Sequence, residues 1–598
     1  GTGKTTLLKD IIAEYIVRRA HILANLNEPD DAYDNKPIYS KLIEGNRFPQ
    51  KTHSFKEGLG LDDYGILVAS CNNTAVENIT FELPEMSKLP NAEAMKKAGH
   101  TLLFNEEKEH FFGELAANML NDSIDPNQHT KKAWGLISAR LGKSDNIRSF
   151  KEKVLDQFTD KISSKYGNEK NTAKFKEPFK DFKTAKDDFL AQYQLVEQIR
   201  RKLSCNEAIF ETLNEKMQST NPLINAEFDK AREELFYLAL KLHGSFLFSS
   251  NIWKRNLYSL KYLWEGKYNT EEKKLIFPHL LNSLFFLVPV VSTTFASVQK
   301  MLEYVGKEQL GLLIVDEAGQ ASPQYAVGAL WRAKKAIIVG DPKQVEPVVT
   351  TDETLMSIYQ KKCRIDSLKA YMSKSHSVQG FADLINPYGA WIGDTWVGCP
   401  LVVHRRCINP MFGISNRVSY DETMILGTKD EVKEDEQKEL LFRHSLWIDV
   451  PGNKNMHAQG NNHYLPEQGE LCLRIILSWM KKHYKKGDNR KLYVISPFTT
   501  VISGVKDSVK KALQVKENEY LQSKYKSWAN TNCGTVHKFQ GKEAEEVIFI
   551  LGCQPSSGGA ISWVNSNILN VAVTRAKKRV YFIGDFEVWS QKNGNFNT

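Results

Sequence analysis

The first six residues of the chain read GTGKTT, a glycine-rich segment followed by a lysine and two threonines. They match the second half of the phosphate-binding loop G-x-x-x-x-G-K-[ST], in which backbone N–H groups and a helix N-terminus face the phosphates. In this pattern the lysine contacts the β- and γ-phosphates, and the next hydroxyl ligates Mg²⁺. The predicted nucleotide-binding residues are Gly1, Thr2, Gly3, Lys4, Thr5 and Thr6, with Thr5 also a Mg²⁺ ligand.

Two adjacent carboxylates, Asp316 and Glu317, follow an apolar run at residues 311–315. Such a run predicts a buried strand that delivers both side chains at its carboxyl end. There Asp316 could hold Mg²⁺ through water, and Glu317 could orient and deprotonate an attacking water molecule. The alternative is a solvated acidic turn after a strand, which would predict nothing about the segment that follows.

That next segment is GDPKQ at residues 340–344, directly after an apolar run at 336–339. Gln344 could lie near the γ-phosphate of a bound nucleotide and sense its presence. The three motifs come in order, the first opening a helix and the other two at strand ends. Together they predict a P-loop nucleoside triphosphatase that uses ATP and Mg²⁺.

A second set of basic motifs lies far downstream. HRR occupies residues 404–406, HKFQGKE residues 537–543 and NVAVTRA residues 570–576. Cationic side chains from a second domain can reach an ATP held by the first domain and neutralise the charge that develops during phosphoryl transfer. GTPases need no such set, so the pattern favours a motor in which hydrolysis opens and closes a cleft between two domains.

These motifs together resemble those of superfamily-1 helicases, in the branch of the nonsense-mediated-decay RNA helicase and its replication and splicing relatives. DEAGQ and HRRC are most similar to the bacterial "superfamily I DNA and/or RNA helicase" type. The matching motifs cover residues 1–80, 288–350 and 400–585. The resemblance implies two tandem RecA-like domains, movement along single-stranded nucleic acid in the 5′ to 3′ direction, and an accessory domain upstream of the phosphate loop.

The resemblance also implies a role for individual residues on both domains. Asp316, Glu317, Gln344, Arg406 and Arg575 would be catalytic, the two arginines acting as fingers from the second domain. Further nucleotide contacts are implied for Arg405, Gln540, Gly541 and Glu543.

Two positions depart from the pattern of the relatives. Arg405 stands where relatives often place an aromatic residue that stacks on adenine, and a guanidinium plane could stack there as well. Glu346, in GDPKQVEP, stands where relatives commonly have proline.

Small hydroxyl and amide side chains at predicted strand ends suit contacts to phosphates and sugars, which carry no sequence information. Segments 70–76, 292–295 and 496–498 have this composition and resemble the segments with which the relatives grip a single strand. Ordinary helix capping is the alternative, since Asn and Thr cap helices frequently. The predicted nucleic-acid contacts are Asn72, Asn73, Thr74, Thr293, Thr294, Pro497, Phe498 and His537.

The elements that must position these residues alternate between apolar runs and helical patterns. Residues 7–23 show helical spacing behind the phosphate loop. Short apolar runs predict buried parallel strands at 65–69, 311–315, 336–340, 492–496, 546–551 and 580–584. The fold class predicted is α/β: two tandem RecA-like P-loop domains with parallel sheets, and a large helical insertion in the first.

The expected domains are residues 1–94 with 281–350, an insertion at 95–280, and residues 351–598. The insertion is rich in charged residues and Phe, with apolar three-, four- and seven-residue steps between Phe182 and Met217 and a stop at Pro222. These steps predict a coiled coil or a helical subdomain. It could pack on itself, or form an arm that contacts nucleic acid or a protein partner.

Composition limits the remaining function classes. The 598 residues carry a net charge of +9, which permits but does not require binding to a polyanion. The eight cysteines form no C-x-x-C pair, which argues against a zinc ribbon and favours reduced thiols in a cytoplasmic protein. No uninterrupted apolar run approaches the roughly 18 residues of a membrane span. Because the phosphate loop lacks its first glycine, we expect the chain to be a fragment.

Three functions remain open at this point. The first is a translocase that separates strands, and the second is a nucleic-acid-stimulated remodeller that hydrolyses ATP without unwinding. The third is an ATP-driven switch or scaffold that acts on a protein partner through the 95–280 insertion. Stimulation of ATP hydrolysis by single strands would separate the first two from the third.

Overall fold

The computed structural model describes residues 2–89, 110–121, 131–162, 179, 181–203, 225–349, 351–365, 376–452, 462–485, 488, 490–592 and 596. These residues form two compact units. The first unit contains Thr5–Gly340 and Val349–Val378. The second unit contains Gly1–Lys4, Asp341–Val348 and Gln379–Thr598. The domain boundaries expected from the sequence stay predictions.

The described residues of the first unit form seven strands: β1 Tyr39–Lys41, β2 Gln50–Thr52, β3 Ile66–Ser70, β4 Ser138–Arg140, β5 Val290–Thr294, β6 Leu310–Val315 and β7 Ala333–Ile338. Five of them form a parallel sheet in the order β4-β5-β3-β6-β7. β3 and β6 are buried along their whole length, as their runs of Val, Ile and Leu require in a sheet covered on both faces. β7 lies at one edge, with Lys334 and Lys335 exposed.

The described helices up to residue 363 are α1 Lys4–Ala24, α2 Asn73–Glu82, α3 Gly113–Leu120, α4 Ser144–Phe150, α5 Asp156–Ile162, α6 Phe182–Lys202, α7 Ala226–Ser249, α8 Asn251–Trp264, α9 Thr270–Leu287, α10 Phe295–Met301, α11 Pro323–Arg332 and α12 Glu353–Cys363. Each of the helices α6 to α9 begins after a residue whose side chain caps its first turn. At α9 the side-chain oxygen of Asn269 accepts from the N–H of Glu272, and the carboxylate of Glu272 accepts from the N–H of Asn269.

The stretch predicted as a helical insertion contributes α3 to α9, and also the edge strand β4 of the sheet. α6 buries Phe182, Ala185, Phe189, Val196 and Ile199, the positions picked out by the predicted apolar steps. The later positions of that pattern, Phe210, Leu213, Met217 and Pro222, lie outside the described residues.

A buried arginine joins this helical region to the helix that follows the phosphate loop. Arg19 of α1 is 1% exposed. Its Nε lies 2.8 Å from Nε2 of His243 on α7, and its Nη1 donates to the carbonyl of Phe285 at 2.8 Å. Its guanidinium also lies 4.4 Å from the ring centre of Phe286. The insertion is therefore packed against α1 through specific polar contacts.

The second unit contains the strands β8 Gly389–Ile392, β9 Thr395–Gly398, β10 Val403–His404, β11 Ile425–Leu426, β12 Leu446–Asp449, β13 Leu492–Ser496, β14 Cys533–Thr535, β15 Ala544–Ile550 and β16 Ala576–Gly584. Five of them form a second parallel sheet in the order β12-β16-β15-β13-β14. From β13 the chain continues to β14 on one side, and from β15 it continues to β16 on the other. The order of the strands therefore reverses between β13 and β15.

The remaining helices are α13 Val378–Ile385, α14 Met411–Ser419, α15 Glu434–Glu439, α16 Pro466–Lys482, α17 Thr499–Leu513, α18 Glu519–Tyr525, α19 Trp528–Asn532, α20 Gly558–Trp563, α21 Ser566–Thr574 and α22 Phe586–Lys592. All six strands predicted from apolar runs are present, so the predicted fold class of two RecA-like α/β domains is confirmed. Among the described helices, none has the length and apolar character needed to cross a bilayer.

Candidate functional site

The carboxyl ends of three neighbouring strands of the first sheet carry predicted site residues. β3 pairs with β5 so that Ser70 lies opposite Thr294, and it pairs with β6 so that Ala69 lies opposite Val315. The backbone N–H of Asp316 donates to the carbonyl of Ala69 at 3.0 Å. The parallel register therefore brings the two predicted nucleic-acid segments and the acidic pair to the carboxyl ends of neighbouring strands.

The acidic pair is held in a tight local turn. Glu317 has a left-handed backbone, with φ of 53°. Its N–H donates to Oδ1 of Asp316 at 2.9 Å, and its carboxylate accepts from Nε2 of Gln320 at 3.3 Å. Both carboxylates are therefore fixed at the end of β6.

Thr5 and Thr6 lie in the first turn of α1 and are exposed. Their hydroxyls are thus accessible to a ligand at the start of that helix. Gly3 has φ of 87°, which favours glycine and curves the backbone just before the helix. Gly1 lies outside the described residues, and Thr2 precedes the helix.

The nucleic-acid residues predicted on the first unit differ in accessibility. Asn72 donates its N–H to Oγ of Ser70 at 3.2 Å, and Asn73 is exposed as the first residue of α2. Thr293 is only 1% exposed and donates its hydroxyl to the carbonyl of Thr294. Thr74 lies in α2, and its side chain is outside the described part of the structure.

In the second unit, Asp341 of the GDPKQ motif is the centre of a polar cluster. Its Oδ2 lies 3.9 Å from Nζ of Lys4, and accepts from the Tyr420 hydroxyl at 2.7 Å and from Nε2 of Gln344 at 2.8 Å. Its Oδ1 accepts from the N–H of Lys343 at 3.0 Å. Burial alone would raise the pKa of Asp341, but the charge of Lys4 and these hydrogen bonds outweigh it and lower the pKa.

The cluster continues through Tyr420 to the NVAVTRA helix. Nδ2 of Asn570 lies 3.0 Å from the Tyr420 hydroxyl and donates to the carbonyl of Lys343 at 2.8 Å. Its Oδ1 accepts from the Ser415 hydroxyl at 2.7 Å. The GDPKQ loop is thereby tied to both α14 and α21. Sequence reasoning missed Tyr420, since no local pattern distinguishes it from an ordinary core tyrosine.

Glu543 of the FQGKE motif connects two basic motifs. Its carboxylate lies 3.0 Å from Nε of Arg406 and also contacts Nζ of Lys577. Burial would raise the pKa of Glu543, but the hydrogen bond and charge of Lys577 and the charge of Arg406 lower it. The side chain of Arg406 remains 20% exposed, whereas Arg405 beside it is exposed to solvent.

Arg575 lies inside the second unit, with 1% of its surface exposed. Its guanidinium donates to the carbonyls of Val571 at 3.2 Å, Lys542 at 3.2 Å and Phe539 at 3.4 Å. These bonds fasten the end of α21 to the FQGKE loop. Gly541 in that loop has φ of 76°, a conformation that favours glycine, and Gln540 beside it is 2% exposed.

His404 and Cys407 form a close pair below the two arginines. Sγ of Cys407 lies 3.0 Å from Nε2 of His404. Burial, with the charges of Arg406 and Arg575, lowers the pKa of His404 to about 3, and burial raises the pKa of Cys407 to about 11. The pair is therefore a neutral imidazole and a thiol at neutral pH. Among the described residues no group of three or more His, Cys, Asp or Glu could hold a metal ion.

The second sheet separates two groups of predicted residues. Gln540, Gly541, Glu543 and Arg575 precede β15 and β16 and lie at the amino ends of these strands, where the N–H of Ala544 donates to the carbonyl of Arg575. Pro497, Phe498 and His537 follow β13 and β14, which pair with Ser496 opposite Thr535, and lie at the carboxyl ends. The residues predicted to contact nucleotide and those predicted to contact nucleic acid thus lie at opposite ends of the strands of one sheet.

Family models described as AAA domain match residues 1–352 and 398–587. The first match alone covers more than half of the chain. The chain belongs to the AAA-domain family of superfamily-1 helicases. The family predicted from the phosphate loop, DEAGQ, GDPKQ, FQGKE and VAVTRAK motifs is thereby confirmed.

A similar curated protein is helicase Sen1 of Schizosaccharomyces pombe, which is 25% identical over 281 residues. The matched region covers 46% of this chain and 14% of Sen1. The chain therefore spans a small part of that relative, whose name describes a helicase.

Solved helicase structures resemble parts of the chain at low identity. The arterivirus nonstructural protein 10 helicase is 13% identical over 51% of this chain and 44% of its own, with a TM-score of 0.23. Its complex with DNA is 14% identical over 52% and 46%, with a TM-score of 0.24. The Hef helicase domain of Pyrococcus furiosus is 12% identical over 53% and 79%, with a TM-score of 0.18. Because these TM-scores are low, the fold is assigned from the two parallel sheets of this chain and not from these neighbours.

Proposed function

We propose that this chain is an ATP-dependent helicase core, which hydrolyses ATP to move along single-stranded DNA or RNA and to separate paired strands. Membership in the superfamily-1 helicase family supports this proposal, as do the predicted nucleotide-binding motifs in both units. Cytoplasmic location and 5′ to 3′ movement belong to the same proposal.

The observation that carries the proposal is the division of the second sheet. Arg406, Glu543 and Arg575 gather at the amino ends of its strands, whereas Pro497 and Phe498 follow a strand at the carboxyl end. A motor must transmit the state of its nucleotide to its track. In this sheet, residues predicted to contact ATP lie at the amino ends of the strands, and residues predicted to contact the single strand lie at the carboxyl ends. The strands between them would provide a short mechanical connection.

The donor set at the start of α1 and the end of β6 fits ATP with Mg²⁺. Thr5 offers an exposed hydroxyl and Asp316 a carboxylate, and Mg²⁺ prefers such oxygen ligands. When bound, Mg²⁺ would neutralise phosphate charge. Glu317, fixed by its own backbone and by Gln320, would take a proton from the attacking water.

Lys4 would change partners when ATP binds. It lies 3.9 Å from the carboxylate of Asp341, and phosphate oxygens would offer it a stronger negative charge. Asp341 would then keep only its neutral donors, Tyr420 and Gln344 with the Lys343 N–H. The GDPKQ loop would thereby register the presence of the γ-phosphate.

Steady-state ATP hydrolysis by the full-length protein tests the proposal. The rate should be measured with single-stranded DNA, with single-stranded RNA and with neither, at two salt concentrations. We expect one polymer to stimulate hydrolysis, and less so at high salt because phosphate contacts weaken. Displacement of a labelled strand, with a 5′ or a 3′ overhang, then separates unwinding from translocation alone and reports direction.

A second candidate is an ATP-driven switch that remodels a protein partner without unwinding. The contact between Arg19 and His243 favours it, since it links the helix behind the phosphate loop to the insertion. For this candidate, hydrolysis should be robust and indifferent to both polymers.

A further inference from the structure

A cavity of about 350 Å³ lies at the amino end of β12, the edge strand of the second sheet. Its walls come from the segments 408–410, 430–432 and 444–445, which precede α14, α15 and β12, and Arg579 of β16 completes it. A volume of this size falls within the range of roughly 300–1,000 Å³ that is typical of sites for small ligands. None of the described residues that line it is among the predicted nucleotide or nucleic-acid contacts.

The wall of this cavity contains a buried cation, the guanidinium of Arg579. The residue is only 8% exposed, and its Nε and Nη1 donate to the carbonyls of Arg443 at 3.0 Å and Lys578 at 2.7 Å. Both acceptors are neutral. Among the described residues Arg579 forms no ion pair, and its Nη2 makes no hydrogen bond. A buried charge without a counter-ion is costly, so this guanidinium favours an anion in the cavity.

The guanidinium stands on two strands that are fixed to each other. β12 and β16 pair with Leu446 opposite Tyr581. Oγ of Ser445, which also lines the cavity, accepts from the N–H of Val580 at 3.1 Å. A planar guanidinium held in this way can receive a carboxylate through parallel N–H···O bonds without first having to be ordered.

Two exposed carboxylates, those of Asp430 and Glu431, also line the cavity. The oxygens of Asp430 accept from the backbone N–H and from Nδ2 of Asn409, each at 2.7 Å. These neutral donors orient the carboxylate but leave its negative charge in place. Glu431 forms no ion pair among the described residues. The exposed side of the cavity therefore carries two negative charges.

The charges of the lining select one class of ligand. Among the described residues that line the cavity, Arg579 carries the one guanidinium or ammonium group, and Asp430 and Glu431 carry the two carboxylates. A phosphate group or a nucleic-acid strand would be repelled by these carboxylates. A diamine would leave the positive charge of Arg579 without an anion. A molecule with one carboxylate and two amines matches all three charges.

We propose that this cavity binds a small basic amino acid, with its carboxylate at Arg579 and its amines towards Asp430 and Glu431. Lysine and ornithine belong to this class. The site is separate from the ATP and single-strand contacts of the proposed function, so it stands or falls without them.

Equilibrium dialysis of the full chain with radiolabelled L-lysine tests the site, and unlabelled molecules then compete for it. Norleucine lacks the side-chain amine and should compete about threefold to fivefold less well than L-lysine, as expected for the loss of an exposed ion pair. Cadaverine keeps both amines but lacks the carboxylate, and should compete at least tenfold less well because the bond to a charged group is lost. Inorganic phosphate should not compete.

Glu431→Gln tests the exposed side of the cavity without disturbing the fold, since the residue is exposed. It should weaken binding of L-lysine about threefold to fivefold and leave the competition by norleucine unchanged. Glu434→Gln is the matched control, because Glu434 is an exposed acidic residue of α15 that does not line the cavity. It should bind L-lysine as the wild type does.

Arg579→Gln should bind L-lysine no better than cadaverine, because the group that distinguishes them is removed. Circular dichroism shows whether this variant is folded; if it is not, the competitors and Glu431→Gln still decide. The proposal is overturned if the wild type binds no L-lysine, or if cadaverine competes as well as L-lysine does. It is also overturned if Glu431→Gln and Glu434→Gln change the affinity equally. Loss of ATP hydrolysis or of single-strand binding would contradict the proposed function and leave this site untouched.

Discussion

The hydroxyl of Tyr420 donates a 2.7 Å hydrogen bond to the carboxylate of Asp341, 79 residues away in the chain. The same carboxylate faces Lys4 of the phosphate loop, and the same hydroxyl faces Asn570 of the NVAVTRA helix. Tyr420 therefore connects the GDPKQ loop, which we propose senses the nucleotide, to α21, the helix directly before Arg575. Three sequence motifs meet at a tyrosine that belongs to none of them.

The first prediction concerns the strength of this link. Tyr420→Phe keeps the ring and removes two hydrogen bonds, one donated to the charged Asp341 and one accepted from Asn570. The loss of the bond to the charged acceptor should lower the free energy of unfolding by about 1.5–3 kcal/mol at pH 7. Urea denaturation measures this. Tyr388→Phe is a matched control: because Tyr388 is 77% exposed, loss of its hydroxyl should leave the free energy of unfolding unchanged. Equal stability of the two variants would contradict the role given to the hydroxyl.

A pH series tests the same bond from the side of Asp341. The pKa of this carboxyl is lowered in the folded protein, so it contributes stability above its unfolded pKa, about 3.9, that is lost as pH falls through the folded value. The stability difference between wild type and Tyr420→Phe should therefore be largest between pH 5 and 7 and shrink below about pH 4. A difference that is constant over this range would mean that the hydroxyl does not act on the charged form.

The sequence predicts the parts of this molecule whose signals are local. All six apolar runs became strands, and Asp316 and Glu317 stand at the end of one of them, since a buried parallel strand has a composition of its own. The two sheets also contain β4, β5, β12 and β14, which the six runs did not predict. β4 has only three residues, too few to show a periodicity. β4 joins the sheet because it pairs with β5, a strand that is distant from it in sequence.

Contacts between distant segments could not be predicted in the same way. Tyr420 and Asp341 are 79 residues apart, and Arg19 and His243 are 224 residues apart. Neither contact is associated with a residue spacing or a local composition from which it could be predicted in the sequence.

The phosphate-loop lysine gives the simplest test of the nucleotide site. Lys4→Ala should abolish ATP turnover, because no other group of the loop supplies a positive side chain to the β- and γ-phosphates. Turnover is measured as phosphate release, and binding with a fluorescent ATP analogue. Lys9→Ala, on the same helix, should keep activity. If Lys4→Ala hydrolyses ATP at the rate of the wild type, residues 1–6 are not a phosphate loop.

The acidic pair permits a separation of binding from chemistry. Glu317→Gln keeps the shape of the side chain and its acceptor for Gln320 but removes the proton acceptor, so ATP binding should persist while hydrolysis stops. Glu303→Gln, an exposed residue of the same unit, serves as the control. Loss of ATP binding in Glu317→Gln would point to a structural role for the turn at Asp316.

Arg575 and Arg406 should contribute differently to the stability of the protein, even if both act on ATP. Arg575→Ala removes three hydrogen bonds to the carbonyls of Val571, Phe539 and Lys542, so the unit should lose about 1–3 kcal/mol of stability. Phe539 and Val571 each keep one other donor, the N–H of Lys542 and the hydroxyl of Thr574. Arg406→Ala breaks only a partly exposed ion pair with Glu543, which is worth about 0–1 kcal/mol. As an arginine finger, Arg575 should also support hydrolysis, so that its loss reduces the rate by roughly 10³-fold or more.

Measuring both variants well below their melting temperatures separates the two effects. A rate that falls in Arg575→Ala while its circular dichroism spectrum stays native identifies a functional arginine. Lowered stability with an unchanged rate would mean that Arg575 only fastens α21 to the FQGKE loop. In that case the more accessible Arg406 would have to supply the positive charge alone, and Arg406→Ala would then show the whole loss of rate.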